Sequence, residues 1–202
     1  MTRDGGGVYV RGAVILSQFQ SVGRDLFTSG LVSSTSGNLS IRLGERLTIT
    51  RRNSGLGSLG EHDLIETGIS KNDRNTPLAS IELAVHRAIY RETPAQAIVH
   101  AHPPHAVALS LTETEIVPPD TEGLSLLGRV PVLGWHMEVK AGGLAEIIAQ
   151  ALRRHRIVMV HGHGSFATGQ LLEEAHNYTT TLEESCRVIC LLKSLQVRTA
   201  RK

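Results

Sequence analysis

The sequence predicts a single α/β domain, and three observations carry that reading. Segments with apolar residues at helical spacing alternate with short apolar strands along all 202 residues, with no internal repeat or linker between them. Apolar residues make up 41% of the chain, enough to bury a core of ordinary size. Two histidine clusters, His100-Ala101-His102 and His161-Gly162-His163, each close an apolar strand, and α/β folds build their sites beyond strand ends.

Gly5-Gly6-Gly7 reads as part of a flexible entry over 1–10, the domain proper as 11–195 and the remainder, 196–202, as a basic tail. From Arg11 to about Leu31, the residues Val14, Ile15, Phe19, Val22, Leu26 and Phe27 recur at helical spacing, and Gly30 is a stop signal. Ser33 to Gly37, small and polar, form a loop. Asn38 to Leu43 alternates like a half-buried strand, and a Gly44-Glu45 turn leads into Leu47 to Thr50, which predicts a hairpin. Residues 51–62 are turn-rich. A short element at Asp63-Leu64-Ile65 and a turn stretch from Lys71 to Pro77 precede a helix that begins near Ser80. Ile81, Val85, Ala88 and Ile89 mark its buried face, and Pro94 ends it.

Ala97 to His102 is a strand cut off by Pro103-Pro104, followed by a helix from about His105 to Leu111. An irregular stretch reaches Gly128. Val130 to Leu133 is a strand whose Pro131 suggests a sheet edge. Gly143 to Arg154 reads as an amphipathic helix, Ile157 to His161 as a buried strand and Leu171 to Leu195 as a long final helix.

The formal net charge of +2 and the 3% aromatic content argue against a nucleic-acid partner, which needs a basic stripe and stacking residues. No run approaches the 18 or so apolar residues of a membrane span. Met1 to Gly7 lacks the apolar core of a signal peptide, so a cytoplasmic location is expected. Cys186 and Cys190 share a helix face, but the helix backbone suits disulfide geometry poorly, and both read as small buried hydrophobes.

Histidines at i and i+2 on a strand point to the same side, so His100 and His102 can offer two imidazoles to one cation. A third imidazole from a second strand end would leave an open position, the arrangement of a catalytic zinc site. Ten histidines also produce close pairs by chance, so the pair alone is a weak signal. Upstream, Ser80 suits a helix N-cap and Glu82 a first-turn carboxylate, which accounts for both as well as a functional role does.

Together these segments resemble the class II aldolase/adducin family, typified by zinc-dependent fuculose-1-phosphate aldolases. The resemblance covers about residues 12–195. Ser36-Gly37-Asn38-Leu39-Ser40 resembles the family's Gly-Asn-hydrophobic-Ser motif, and Ser80-Ile81-Glu82 the helix carrying its catalytic glutamate. Ile98-Val99-His100-Ala101-His102 resembles its metal pair, and His163-Gly164 its third ligand. The resemblance implies a three-layer αβα sandwich around a mixed, largely antiparallel sheet. It implies zinc, or another divalent metal ion, held by His100, His102 and His163, with Glu82 as the acid/base. Both His161 and His163 precede a glycine; the family's spacing favours His163, with His161 behind it. Asn38 and Ser80 would help hold the phosphate of a small phosphorylated sugar, together with the loop after the hairpin, here Thr50 to Asn53. The implied reaction splits a ketose 1-phosphate into dihydroxyacetone phosphate and a small aldehyde, within a homotetramer.

The chain departs from the family in that loop. Thr-Pro-Ser/Thr-Gly is replaced by Thr50-Arg51-Arg52-Asn53-Ser54, with Asn53 where the glycine belongs and Ile81 where a second hydroxyl often stands. Arg51 or Arg52 would grip a phosphate, or form a solvated charge pair in a turn. Asp120-Thr121-Glu122-Gly123 reads as an exposed acidic turn that could line the cleft, and Tyr178 as a packing residue. The family's tyrosine proton donors have no counterpart here. Related metal sites also serve sugar-phosphate dehydratases and 4-epimerases, and adducin-like domains keep the fold as a binding module without the metal.

Overall fold

The structure, a computed structural model, describes residues 5–135 and 143–199. In chain order the elements are α1 (Gly5–Thr28), β1 (Asn38–Leu43), β2 (Arg46–Thr50), β3 (Leu64–Gly68), α2 (Leu83–Glu92), β4 (Ala97–Ala101) and α3 (Pro104–Ser110). There follow β5 (Glu115–Ile116), α4 (Thr121–Leu127), β6 (Val130–Leu133), α5 (Gly143–Ala151), β7 (Ile157–Val160), β8 (Gly164–Gly169) and α6 (Leu172–Thr199). The strands form one sheet in the order β3-β2-β1-β4-β8-β7-β6-β5. Among the described residues β6 and β7 pair in parallel and every other neighbouring pair is antiparallel.

Alternation along the strands builds a core on each face. Val99 of β4, Leu39, Met159 and Ala167 pack against Phe19, Val22 and Leu26 of α1 and Leu172 and Leu182 of α6, on the face that α3 and α4 also cover. Ile98 of β4, with Ile49, Val158 and Phe166, faces the other way, onto Leu83 and Ile89 of α2 and Ile148 of α5. Each such side chain contributes about 1.5–3 kcal/mol by leaving water. This is the three-layer sandwich with a mixed, largely antiparallel sheet.

Several local expectations are corrected. α1 already begins at Gly5, inside the stretch read as a flexible entry, and α6 runs to Thr199, into the basic tail. Once a helix is nucleated each added residue gains a hydrogen bond, which carries it past weak formers. α2 starts at Leu83, not Ser80, so Ile81 lies outside the helix and is 74% exposed; Leu83, His86 and Tyr90 join Ala88 and Ile89 on the buried face. The irregular stretch before Gly128 contains β5 and α4, and β8 adds a strand that local patterning does not predict. β6 is not the sheet edge, because β5 pairs with it, and Pro131 precedes the residues paired to β7 and takes no donor from that ladder. Cys186 is buried and both cysteines are free. Among the described residues no helix is long and apolar enough to cross a membrane.

Candidate metal centre

The start of β1, the end of β4 and the start of β8 meet at one end of the sheet, with Asn38 opposite His100 and His100 opposite Phe166. His100 lies within β4 and His102 just past its end, so both rings project to the α2 side. His163 closes the turn between β7 and β8, its N–H donating to the Val160 carbonyl at 3.0 Å. Two glycines make this convergence possible. A Cβ on Gly164 would collide with the Ala101 carbonyl oxygen, and one on Gly37 would sit 2.8 Å from that of His100, at a φ of +76°.

The three imidazoles face one another, with ring centroids 4.8 Å (His100–His102), 5.1 Å (His100–His163) and 5.0 Å (His102–His163) apart. One ligating atom from each lies within 4.8 Å of the others. The His100 ring stacks on Phe166 at 4.1 Å, and its Nδ1 lies 2.8 Å from the Ser165 carbonyl oxygen. A carbonyl only accepts, so Nδ1–H is the donor and Nε2 presents its lone pair to the cluster. That Nε2 is 3.1 Å from Glu82 Oε2, while His163 Nε2 is 3.5 Å from Glu82 Oε1.

Burial, reinforced by His102 and His163, pushes His100 well below the usual imidazole range, and burial with His163 does the same to His102. A neutral His100 cannot form an ion pair with Glu82. Their contact instead brings two electron-pair donors together, and neutral imidazoles beside a carboxylate form a donor set that fits a divalent cation.

The cleft in front of the cluster is open to solvent and is lined by Ser36, Gly37, Asn38, Arg51, Arg52, Asn53, Ser80 and Glu82, besides the three histidines. Asn38 is buried and its Nδ2 donates to Glu82 Oε2 at 2.6 Å. Ser80 Oγ accepts from the Glu82 N–H at 3.2 Å, capping the turn ahead of α2. Asn53 does adopt the left-handed conformation, at φ 64°, that the family leaves to glycine. Thr50 lies outside this lining: it is buried, and its hydroxyl accepts from the Leu39 N–H at 3.3 Å. His161 packs against Trp135 with ring centroids 4.3 Å apart, so of the two candidates His163 is the one brought to the pair.

Asp120 is the N-cap of α4, accepting from Gly123 N–H at 2.7 Å, and is not part of the cleft lining. Tyr178 hydroxyl donates to Glu174 Oε1 at 2.5 Å, also outside that lining. Sequence reasoning placed Ser40 in a motif without giving it a role and missed His86 and Tyr90; the three join Asn38 in a buried network behind Glu82. The spacing Glu82, His86, Tyr90, one residue per helical turn, was the available signal.

A family model described as the Class II Aldolase and Adducin N-terminal domain matches residues 17–190. The chain is similar to the solved structure of an L-fuculose-1-phosphate aldolase from Thermus thermophilus, at 39% identity and a TM-score of 0.85, covering 91% of this chain and 96% of that one. It is 29% identical to a 3-oxo-tetronate 4-phosphate decarboxylase of Pectobacterium atrosepticum, over 90% of this chain and 86% of the relative. It is 30% identical to the methylthioribulose-1-phosphate dehydratase of Methylococcus capsulatus, over 80% and 85%.

Proposed function

The chain belongs to the class II aldolase and adducin family, and from that premise we propose that it is a metal-dependent lyase cleaving a ketose 1-phosphate into dihydroxyacetone phosphate and a small aldehyde. The observation that carries the reading is the convergence of His100, His102 and His163 with Glu82 at the mouth of a polar cleft. His100, His102 and His163 would hold zinc or another divalent ion, which supplies Lewis-acid polarisation of substrate oxygens. Glu82, gripped by Asn38 and 3.1 Å from His100 Nε2, would move a proton to or from the carbon next to the carbonyl. Ser80 and Asn53 line the cleft with Arg51 and Arg52, whose guanidinium groups suit the substrate phosphate and orient it away from the bond that breaks. A cytoplasmic homotetramer completes the reading.

One observation favours a second reading. Of the tyrosines whose side chains the structure describes, Tyr90 is buried and Tyr178 bonds Glu174, so neither of these lines the cleft to exchange a proton with a departing aldehyde oxygen. Loss of carbon dioxide from a 3-oxo acid 4-phosphate needs no such partner and, after protonation at the vacated carbon, yields the same dihydroxyacetone phosphate.

The test is release of dihydroxyacetone phosphate by the zinc-loaded protein. The substrates are fuculose, rhamnulose, ribulose and 5-deoxyribulose 1-phosphates and 3-oxo-tetronate 4-phosphate, each with and without a chelator. Chelator-sensitive release with an aldehyde supports the aldolase, and release with carbon dioxide alone supports the decarboxylase. Glu82→Gln should retain zinc yet lose about 10²- to 10⁴-fold in turnover. No release from any of them would overturn both readings and turn attention to dehydration or epimerisation.

A further inference from the structure

Behind Glu82 and the Asn38 that grips it lies a run of polar side chains that the proposed reaction does not itself use. Asn38 Oδ1 lies 2.5 Å from His86 Nε2; His86 Nδ1 lies 2.7 Å from Ser40 Oγ; and Ser40 Oγ lies 2.8 Å from the Tyr90 hydroxyl. Ser40 and His86 are fully buried, Tyr90 is 1% exposed and Asn38 5%. We propose that Tyr90, Ser40 and His86 act through Asn38 as positioning residues, a one-directional relay of hydrogen bonds that fixes the Glu82 carboxylate against the metal-ligand cluster. The proposal rests on the reading of Glu82 as the proton-transferring group.

The direction follows from one end. A carboxylate only accepts, so the Asn38 amide nitrogen faces Glu82 and its oxygen faces His86. His86 Nε2 must then carry a proton. Burial lowers the His86 pKa to about 3, so the ring is neutral and its Nδ1 holds a lone pair. Ser40 therefore donates to Nδ1, and the Tyr90 hydroxyl donates to Ser40. Every donor points towards Glu82, and bonds aligned in this way polarise one another.

The backbone explains why these residues meet. Asn38 and Ser40 are two apart on β1, a rise of about 6.6–6.8 Å, and Glu82 at the N-cap of α2, His86 and Tyr90 are four apart along the helix, about 6 Å per step. The two periods nearly match, so the strand face and the helix face interlock. The same face touches the metal ligands by a second route, because the His86 ring meets Phe166 edge-on at 6.2 Å and Phe166 stacks on His100. Burying this many polar groups costs free energy unless all are satisfied, and an apolar face would have packed with less risk.

The experiment uses the zinc-loaded protein and two independent readouts. Nitrogen and proton NMR of the imidazoles should find His86 as the Nε2–H tautomer at neutral pH, with that proton's resonance moving in Glu82→Gln, although residue 82 does not bond to the ring. On the best substrate, His86→Leu should lower kcat about 10- to 100-fold with KM and zinc content unchanged. His86→Gln, whose amide can still donate to Asn38, should recover most of that loss, and Tyr90→Phe should give a smaller loss. An Nδ1–H tautomer overturns the proposal. So does a His86→Leu protein with wild-type kcat and only a lower melting temperature, or equal impairment of the Leu and Gln variants. If the wild type turns over no substrate, the proposed function fails, and the tautomer with its response to Glu82→Gln still decides the relay.

Discussion

Gly164 shows how tightly single residues constrain the centre. The first residue of β8 passes so close to the end of β4 that a methyl group would meet the Ala101 carbonyl and the His102 ring. Gly164→Ala must push the two strands apart where they carry the ligands, and should cost about 1–3 kcal/mol, as overpacking does. Calorimetry should show the lower melting temperature and equilibrium dialysis a weaker hold on zinc; wild-type values in both would contradict this account. At this scale the sequence was most legible where chemistry dictates residue type. Glu82, Asn38, Ser80, Asn53 and the three histidines were all legible, and they line one cleft. Thr50 was misplaced because strand alternation puts it opposite the cleft-facing side. His86 and Tyr90 stayed hidden because a histidine and a tyrosine on an apolar helix face read as ordinary core until the partner strand is known.

Among the elements, α3 depends on a residue far along the chain. Glu183 of α6 accepts from the backbone N–H groups of His105 and Ala106 at 3.0 and 3.1 Å and from His105 Nδ1 at 2.6 Å, taking the place of a local N-cap. Pro103 occupies the cap position and offers no acceptor side chain, which explains the need. Glu183→Ala should cost about 0.5–2 kcal/mol, the usual effect of losing a cap. Hydrogen exchange should show the loss first in α3; an unchanged exchange pattern there would refute it. Such long-range capping is invisible to local pattern reading. So was β8, whose Gly164-Ser165-Phe166-Ala167-Thr168-Gly169 lacks a β-branched run and is bounded by glycines that read as turns. It is a strand because β4 and β7 flank it on both sides. By contrast the β1–β2 hairpin and β4 were readable, since alternation, a Gly turn and a closing proline pair are local signals.

For the whole molecule, the class of fold was legible because periodicity and element order survive errors at individual ends. The order of strands was not, since it depends on contacts between distant segments. That order has a simple form: β1 to β4 fill one half of the sheet, β5 to β8 the other, and β4 beside β8 is the seam. His100 and His102 come from one side of it and His163 from the other. The chain should therefore behave as a split protein. Fragments 1–112 and 113–202, produced separately, should associate on mixing, and zinc should tighten that association, because an ion held by both pieces acts as a clasp. Fragments that associate equally well with and without zinc would show that the seam holds by packing alone. A cut at this point would turn complementation into a direct readout of metal occupancy, with no need to know the substrate.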